Sequence, residues 1–248
     1  MQVIYTLFNK PHPDHDFPAA LRCTRALASV PVWVFERVPH ELERYEQFLR
    51  ETIPDPMWRT SLLRWLVIGH YVKLDQWNDW PILCLDWDCV VFRDVAPLFE
   101  RTKDCDITFT VDDLGNTGQP WIINYPDVLR SFCRILMALI DARATALFAP
   151  APGNFQDMAF WKQVVDLCQW KPKIINDLVD HNLACAGGCE RQDCEPEFKD
   201  VPKRKKIVYD DGLPCFVSLD GPLVKPYFIH FWGPLKPLIG RVARDIGV

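Results

Sequence analysis

No stretch of this chain holds the roughly eighteen uninterrupted apolar residues that a helix needs to cross a bilayer. The nearest, RILMALIDARATALF, is broken by Asp141 and Arg143. The opening MQVIYTLFNKPHPDHD has no basic segment leading into an apolar core, so no signal peptide is expected. Positive charge is not in excess: 28 Lys and Arg stand against 33 Asp and Glu, a net −5. No global field therefore argues for nucleic acid or an anionic membrane as partner. Internal repeats and low-complexity segments are also missing. These absences lead to the expectation of a cytoplasmic protein with no transmembrane segment.

What is present fits a folded globular chain. Hydrophobic residues make up 49% and charged residues 25% of 248 positions, enough for one sizeable α/β core. Ten cysteines are scattered through apparent core segments, which suits buried thiols in a reducing compartment. The basic run KRKK, Lys203 to Lys206, reads as a solvated loop. QVIYTLF and VPVWVFE read as strands around a helical PAALRCTRALAS. MWRTSLLRWLVIGHYV has helical spacing, with Leu62, Leu66 and Gly69 near one face. CDITFTV and PWIIN are further strands. A long amphipathic helix is expected to start near Pro126, and another over NFQDMAFWKQVVDLC with Asn154 as its cap. Late strands KIVY, PCFVS and YFIHF follow an irregular stretch from about Lys171 to Lys206.

Strands alternating with helices predict a central, mostly parallel sheet flanked by helices, with a less regular C-terminal half. The expectation is one domain over 1–248, with a first half at 1–100 and a second at 101–248.

The most informative segment is PILCLDWDCVVFRD, where an apolar strand ends on Asp86 and Asp88 follows at once. Side chains at the C-terminal end of a parallel strand face the crevice where open α/β sheets bind ligands. Two carboxylates at spacing i, i+2 project to one side of an extended segment. Unpaired, they would repel each other and resist burial. A divalent cation removes both difficulties, and oxygen ligands suit Mg²⁺ or Mn²⁺. A turn whose Asp side chains cap nearby amides is the alternative, although the apolar residues on both sides argue against a solvent-facing turn.

Near the other end, YFIHFWGPLKP sets His230 in an apolar strand, followed by Gly233 and Lys236. A lone histidine in such a strand is more often a satisfied core residue, but imidazole can also complete an Asp/Asp site for Mn²⁺. Glycine lets the backbone approach a ligand, and lysine offers a point charge to a diphosphate.

Together, LCLDWDCVVF and IHFWGPLKP resemble the motifs of the retaining GT-A glycosyltransferases of family eight, the glycogenin and bacterial lipopolysaccharide galactosyltransferase type. Those enzymes carry an apolar strand ending in D-x-D and a late H-F-x-G-x-x-K-P. The resemblance implies a GT-A, Rossmann-like fold. It implies that Asp86, Asp88 and His230 bind Mn²⁺ (or Mg²⁺), and that Gly233 and Lys236 hold the diphosphate of a nucleotide sugar. SLLRW ahead of D-x-D also looks like the family thirty-two sugar transferases, which brings Arg64 toward the donor. Thr6, ending the first strand, is assigned to the donor with it. GNTGQPWIIN resembles the family's N-x-G segment, so Asn116, Gly118 and Gln119 would line the sugar pocket; a simple turn is the alternative. NFQDMAFW looks like the family's D-Q-D-x-x-N helix start, with Gln156 and Asp157 matching and Phe155 and Phe160 departing from it. Those two acceptor-side residues carry the catalytic assignment, with helix capping as their other reading.

The implied reaction is transfer of a glycosyl group from a nucleotide-diphosphate sugar, UDP by preference, to an acceptor hydroxyl with retention. The acceptor is left open among a glycan, a lipid-linked sugar, a protein or a modified nucleic-acid base. His181, Cys185, Cys189 and Cys194 read first as free thiols beside a histidine, with a structural Zn²⁺ site or a disulfide as the alternatives; their spacing does not match the common C-x-x-C knuckle. Two other readings stay open. A sugar nucleotidyltransferase would want a glycine-rich loop after the first strand, and TLFNKPHPDHD has none. A zinc-stabilised, non-catalytic binding module would show zinc without nucleotide binding.

Overall fold

The computed structural model describes residues 2–6, 17–74, 80–111, 117–144, 156–175, 188–194, 203–231 and 233–248. The chain divides into two compact units whose segments interleave in sequence: Met1–Lys10, Trp33–Leu85 and Phe99–Ile174 in the first, and Pro11–Val32, Asp86–Leu98 and Ile175–Val248 in the second.

The first unit carries a six-stranded sheet in the order β2-β1-β3-β6-β5-β7. The strands are β1 (Gln2–Thr6), β2 (Val32–Phe35), β3 (Ile82–Leu85), β5 (Ile107–Val111), β6 (Thr117–Ile123) and β7 (Pro172–Ile174). β1 runs parallel to β3, and β5 parallel to β7. β6 is antiparallel to both β3 and β5, so β1, β3, β5 and β7 share one direction and β6 opposes them. Every residue of β3, ILCL, is buried. A strand covered on both faces reads as a continuous apolar run.

Helices α2 (Glu43–Thr52), α3 (Pro56–Leu74), α5 (Pro126–Asp141) and α6 (Gln156–Cys168) pack in the same unit. α3 touches α2, α5, α6 and β1, which explains why apolar residues occupy most of its circumference. At its centre, Trp65 meets Trp121 and Trp161 edge-on, at 5.0 and 4.9 Å between ring centroids. Trp161 in turn stacks on Phe132 at 3.7 Å. Each such pair contributes about 0.5–1.5 kcal/mol beyond its buried area. Gly69 lies where α3 meets α5. A Cβ there would stand 2.4 Å from the Cys133 Sγ, so only glycine allows this approach. Cys133 donates to the Trp65 carbonyl at 3.2 Å, and burial pushes its thiol up to about 12. At the end of β6, Asn124 Nδ2 donates to the Thr102 and Cys105 carbonyls at 2.7 and 2.8 Å, fixing the turn after α4 (Ala96–Thr102).

The second unit contains α1 (Phe17–Leu27), β4 (Cys89–Val91), β13 (Phe228–His230), α7 (Leu238–Asp245) and small antiparallel sheets. These are β8 (Arg191–Asp193) with β9 (Lys203–Lys205), and β10 (Ile207–Asp210), β11 (Leu213–Val217) and β12 (Leu223–Val224). Asp211 and Gly212 connect β10 to β11 with φ of 50° and 74°. Positive φ at both positions marks the tight hairpin turn that Asp-Gly favours.

The structure corrects two local expectations. KRKK is not a solvated loop: β9 runs through it, and Arg204 and Lys205 are buried at 6% and 1% exposure. Lys205 Nζ lies 5.4 Å from the Phe216 ring centroid, and burial pulls its pKa down to about 8. The segment after β3 is also not extended. Residues 87 and 88 form a turn, which the Cys89 N–H closes by donating to the Asp86 carbonyl at 2.9 Å.

Candidate functional site

The second unit brings the D-x-D segment and the late histidine segment together through one short strand pair. β4 and β13 are antiparallel, with Phe228 opposite Val91, Ile229 opposite Val90 and His230 opposite Cys89. α1 supports β4 from its buried side, where the Thr24 hydroxyl accepts the Val91 N–H at 3.2 Å. Beyond the last pair, the Phe231 N–H donates to the Asp88 carbonyl at 2.8 Å. This bond holds the turn carrying Asp88 against the strand that ends in His230.

The Asp88 side chain is 8% exposed and lies between two cationic groups. His230 Nε2 is 3.4 Å from Oδ1, and Lys236 Nζ is 3.0 Å from Oδ2. Oδ1 is buried without an aligned hydrogen bond, so the imidazole contact is a charge contact. Lys236 follows a short 3₁₀ turn, Gly233–Leu235, and precedes α7. Its ammonium also sits 4.2 Å from the Trp87 ring centroid, a cation–π contact. Gly233 has φ of 54°, and among the described residues a Cβ there would meet nothing within 4 Å. The backbone on that side is open to an incoming group.

Burial alone would raise the Asp88 pKa, but His230 first and then Lys236 outweigh it and hold the carboxyl down at about 2. Burial likewise opposes charge on His230. Asp88, with a smaller contribution from Asp86, overrides it and raises the imidazole above its ordinary value. Asp88 is therefore an anion at any ordinary pH, and its neighbours favour protonation of His230.

Asp88, Cys89 and His230 offer one ligand atom each, and these atoms all lie within 4.8 Å of one another. Sequence reasoning missed Cys89 and counted it among the core thiols. The signal was its place directly after D-x-D, but only the strand register shows that it opposes His230. Asp86 is half-buried, is near enough to act on His230, and is not one of those three groups.

The other candidates belong elsewhere in the chain. Arg64 lies on α3 in the first unit at 7% exposure, its guanidinium carbon 5.3 Å from the Trp65 ring and 4.9 Å from the Trp121 ring. Thr6 ends β1, Gly118 and Gln119 lie in β6, and Gln156 and Asp157 begin α6; for these only the backbone is described. Asn116 lies outside the described residues, as do His181 and Cys185 of the proposed zinc set and the expected cap Asn154. Cys189 and Cys194 are thiols; Cys189 is buried, and its main chain forms an isolated antiparallel β-bridge with Ser218.

No family model matches the sequence, and no curated protein matches it. Solved structures do match. The galactosyltransferase LgtC, in complex with donor and acceptor sugar analogues, is 12% identical; the match covers 100% of this chain and 95% of that one at a TM-score of 0.57. The fold is the GT-A glycosyltransferase fold. Two further similar structures are a glycosyltransferase involved in the glycosylation of the major capsid of PBCV-1 (10% identity, 100% and 98% coverage, TM-score 0.49) and GlyE of Streptococcus pneumoniae TIGR4 (15% identity, 71% and 45% coverage, TM-score 0.46). The chain thus spans less than half the length of GlyE and nearly all of LgtC. The α/β sheet flanked by helices and the small C-terminal antiparallel sheets are those expected of the GT-A fold. No described helix is long and apolar enough to cross a membrane.

Proposed function

We propose that this chain is a metal-dependent glycosyltransferase that moves a sugar from a nucleotide-diphosphate sugar, UDP by preference, to an acceptor hydroxyl with retention. The observation that carries the reading is Asp88 held between His230 and Lys236 on a GT-A fold.

The donor set suits a divalent cation. One oxygen of a buried carboxylate, held ionised by its cationic neighbours, lacks an aligned hydrogen bond, and an imidazole stands beside it. Asp86, Asp88 and His230 would hold Mn²⁺ or Mg²⁺. When bound, the ion supplies Lewis-acid stabilisation of the charge that develops on the departing diphosphate.

The remaining work falls to the protein's own groups. Lys236 adds a fixed positive charge for phosphate oxygens, and its contacts with Asp88 and Trp87 keep that charge oriented before the donor arrives. The open side of Gly233 lets main chain approach the diphosphate. Thr6, Arg64, Asn116, Gly118 and Gln119 are assigned to the nucleotide sugar, and Gln156 and Asp157 to the reacting sugar. The acceptor is a sugar or other hydroxyl-bearing molecule.

A thermal-shift screen of nucleotide sugars with and without Mn²⁺ tests the reading. The expected result is a stabilisation that needs both partners and is lost in Asp88→Asn. A donor shift of equal size in chelator and in the variant would remove the basis for the metal role.

A further inference from the structure

Cys89 is fully buried, and its thiol lies within 4.8 Å of the Asp88 and His230 ligand atoms. Two independent features aim it there. His230 is its directly opposed partner across β4 and β13, and cross-strand partners project from the same face of an antiparallel pair. The Asp86–Cys89 turn, closed by the 2.9 Å bond from the Cys89 N–H, sets Asp88 beside it. The buried Asp88 Oδ1, without an aligned hydrogen bond, faces the same cluster.

We propose that Cys89 is a protein ligand of the cation at this site, and that with Asp88 and His230 it selects a thiophilic ion such as Zn²⁺, Co²⁺ or Cd²⁺ over Mg²⁺. The inference rests on the reading of Asp88 and His230 as ligands given above.

The distances and the chemistry agree. In a tetrahedral site with bonds of about 2.0–2.3 Å, an oxygen and a nitrogen ligand stand roughly 3.4 Å apart. That is the separation between Asp88 Oδ1 and His230 Nε2 here, 3.4 Å. The sulfur lies within 4.8 Å of the other two ligand atoms, so joining the same shell takes a closure of at most about an ångström. A set of one oxygen, one nitrogen and one sulfur is softer than the all-oxygen shell that Mg²⁺ prefers. Cys89, Asp88 and His230 fill three positions of a tetrahedral ion and leave the fourth to Asp86 or to an oxygen of the donor. On ligation the S–H bond breaks and a sulfur–metal bond forms. The proton passes to the buffer, and no oxidation state changes.

The test is titration of the full chain with Co²⁺ or Cd²⁺, reading the sulfur-to-metal charge-transfer absorption, alongside Mn²⁺ binding followed by electron paramagnetic resonance. The other nine cysteines give a background, so the reading is the difference between wild type and Cys89→Ser. A saturable band lost in both Cys89→Ser and Asp88→Asn is expected. Cd²⁺ affinity should fall in Cys89→Ser by at least the roughly tenfold that loss of a mere outer-shell partner causes, with Mn²⁺ affinity changing far less. Cys89→Ala and cadmium NMR of the wild type guard against a folding defect in the serine variant. Wild-type and Cys89→Ser bands of equal size, with Asp88-dependent Mn²⁺ binding intact, overturn the thiolate ligand alone. Failure of any divalent ion to bind overturns both this inference and the metal role.

Discussion

Replacing Asp88 with Asn removes an anion that His230 and Lys236 both contact. The effect on the metal-free protein depends on pH with a definite sign. The Asp88 carboxyl is held at about 2, below its unfolded value. Its contribution is complete above the unfolded value and disappears as pH falls through about 2. The His230 share runs the other way. Its pKa is raised, so its contribution is complete below the unfolded imidazole value and is lost as pH rises through the folded one. In chelator, the stability gap between wild type and Asp88→Asn should therefore be largest in mildly acidic solution, at about 2 kcal/mol. It should narrow toward both ends, keeping the Lys236 component at high pH. Urea unfolding of both proteins across that range measures it, and a gap independent of pH would contradict the contacts described. At this scale the sequence was informative where chemistry is tied to residue type: two carboxylates after an apolar strand, and a histidine followed by glycine and lysine. Cys89 was not legible, because a buried thiol beside a core strand looks the same in sequence whether or not it faces an imidazole.

At the scale of elements, periodicity located the main strands and the long helices, since burial on one or both faces writes itself into the spacing of apolar residues. It failed at KRKK, where four cationic residues outweighed the possibility of a two-stranded ribbon burying two of them. The strand β9 carries a testable cost. Lys205 has a folded pKa of about 8, below its unfolded value, so the buried charge penalises folding below that pH and the penalty lifts as pH climbs toward the unfolded value. Lys205→Met should be more stable near neutral pH by roughly 1–3 kcal/mol, with the advantage shrinking as pH rises above about 8. Denaturant midpoints of both proteins over that range decide it. The α3–α5 crossing gives a second prediction. Gly69→Ala gains helix propensity worth about 1 kcal/mol but forces a methyl against the Cys133 sulfur, 2.4 Å from its ideal position. Overpacking of this kind costs about 1–3 kcal/mol, so the variant should melt lower, and adding Cys133→Ala should restore stability to the wild-type level or above. A single variant as stable as wild type would mean the two helices separate at little cost.

For the whole molecule, the informative fact is sequence distance. Asp88 and His230 are separated by more than half of the chain, and a three-residue strand pairing makes their segments neighbours. The two motifs could be read separately, while their convergence could not be read at all, because register between distant strands is set by packing such as that of α1 beneath β4. A site assembled from distant segments ties any ligand it binds to global folding. Anything that binds the native state alone stabilises it by about 2.7 kcal/mol at a hundred times its dissociation constant. For a chain of this size each kcal/mol moves the melting temperature by about 2–4 °C. A UDP-sugar with Mn²⁺ at that saturation should therefore raise the wild-type melting temperature by roughly 5–10 °C. The same mixture should leave Asp88→Asn nearly unmoved, because the variant loses a proposed carboxylate ligand of the ion and the charge that orients Lys236. Lys236→Ala should keep its response to Mn²⁺ alone and lose most of the added response to the nucleotide sugar. That separation would assign the carboxylate to the ion and the ammonium to the diphosphate.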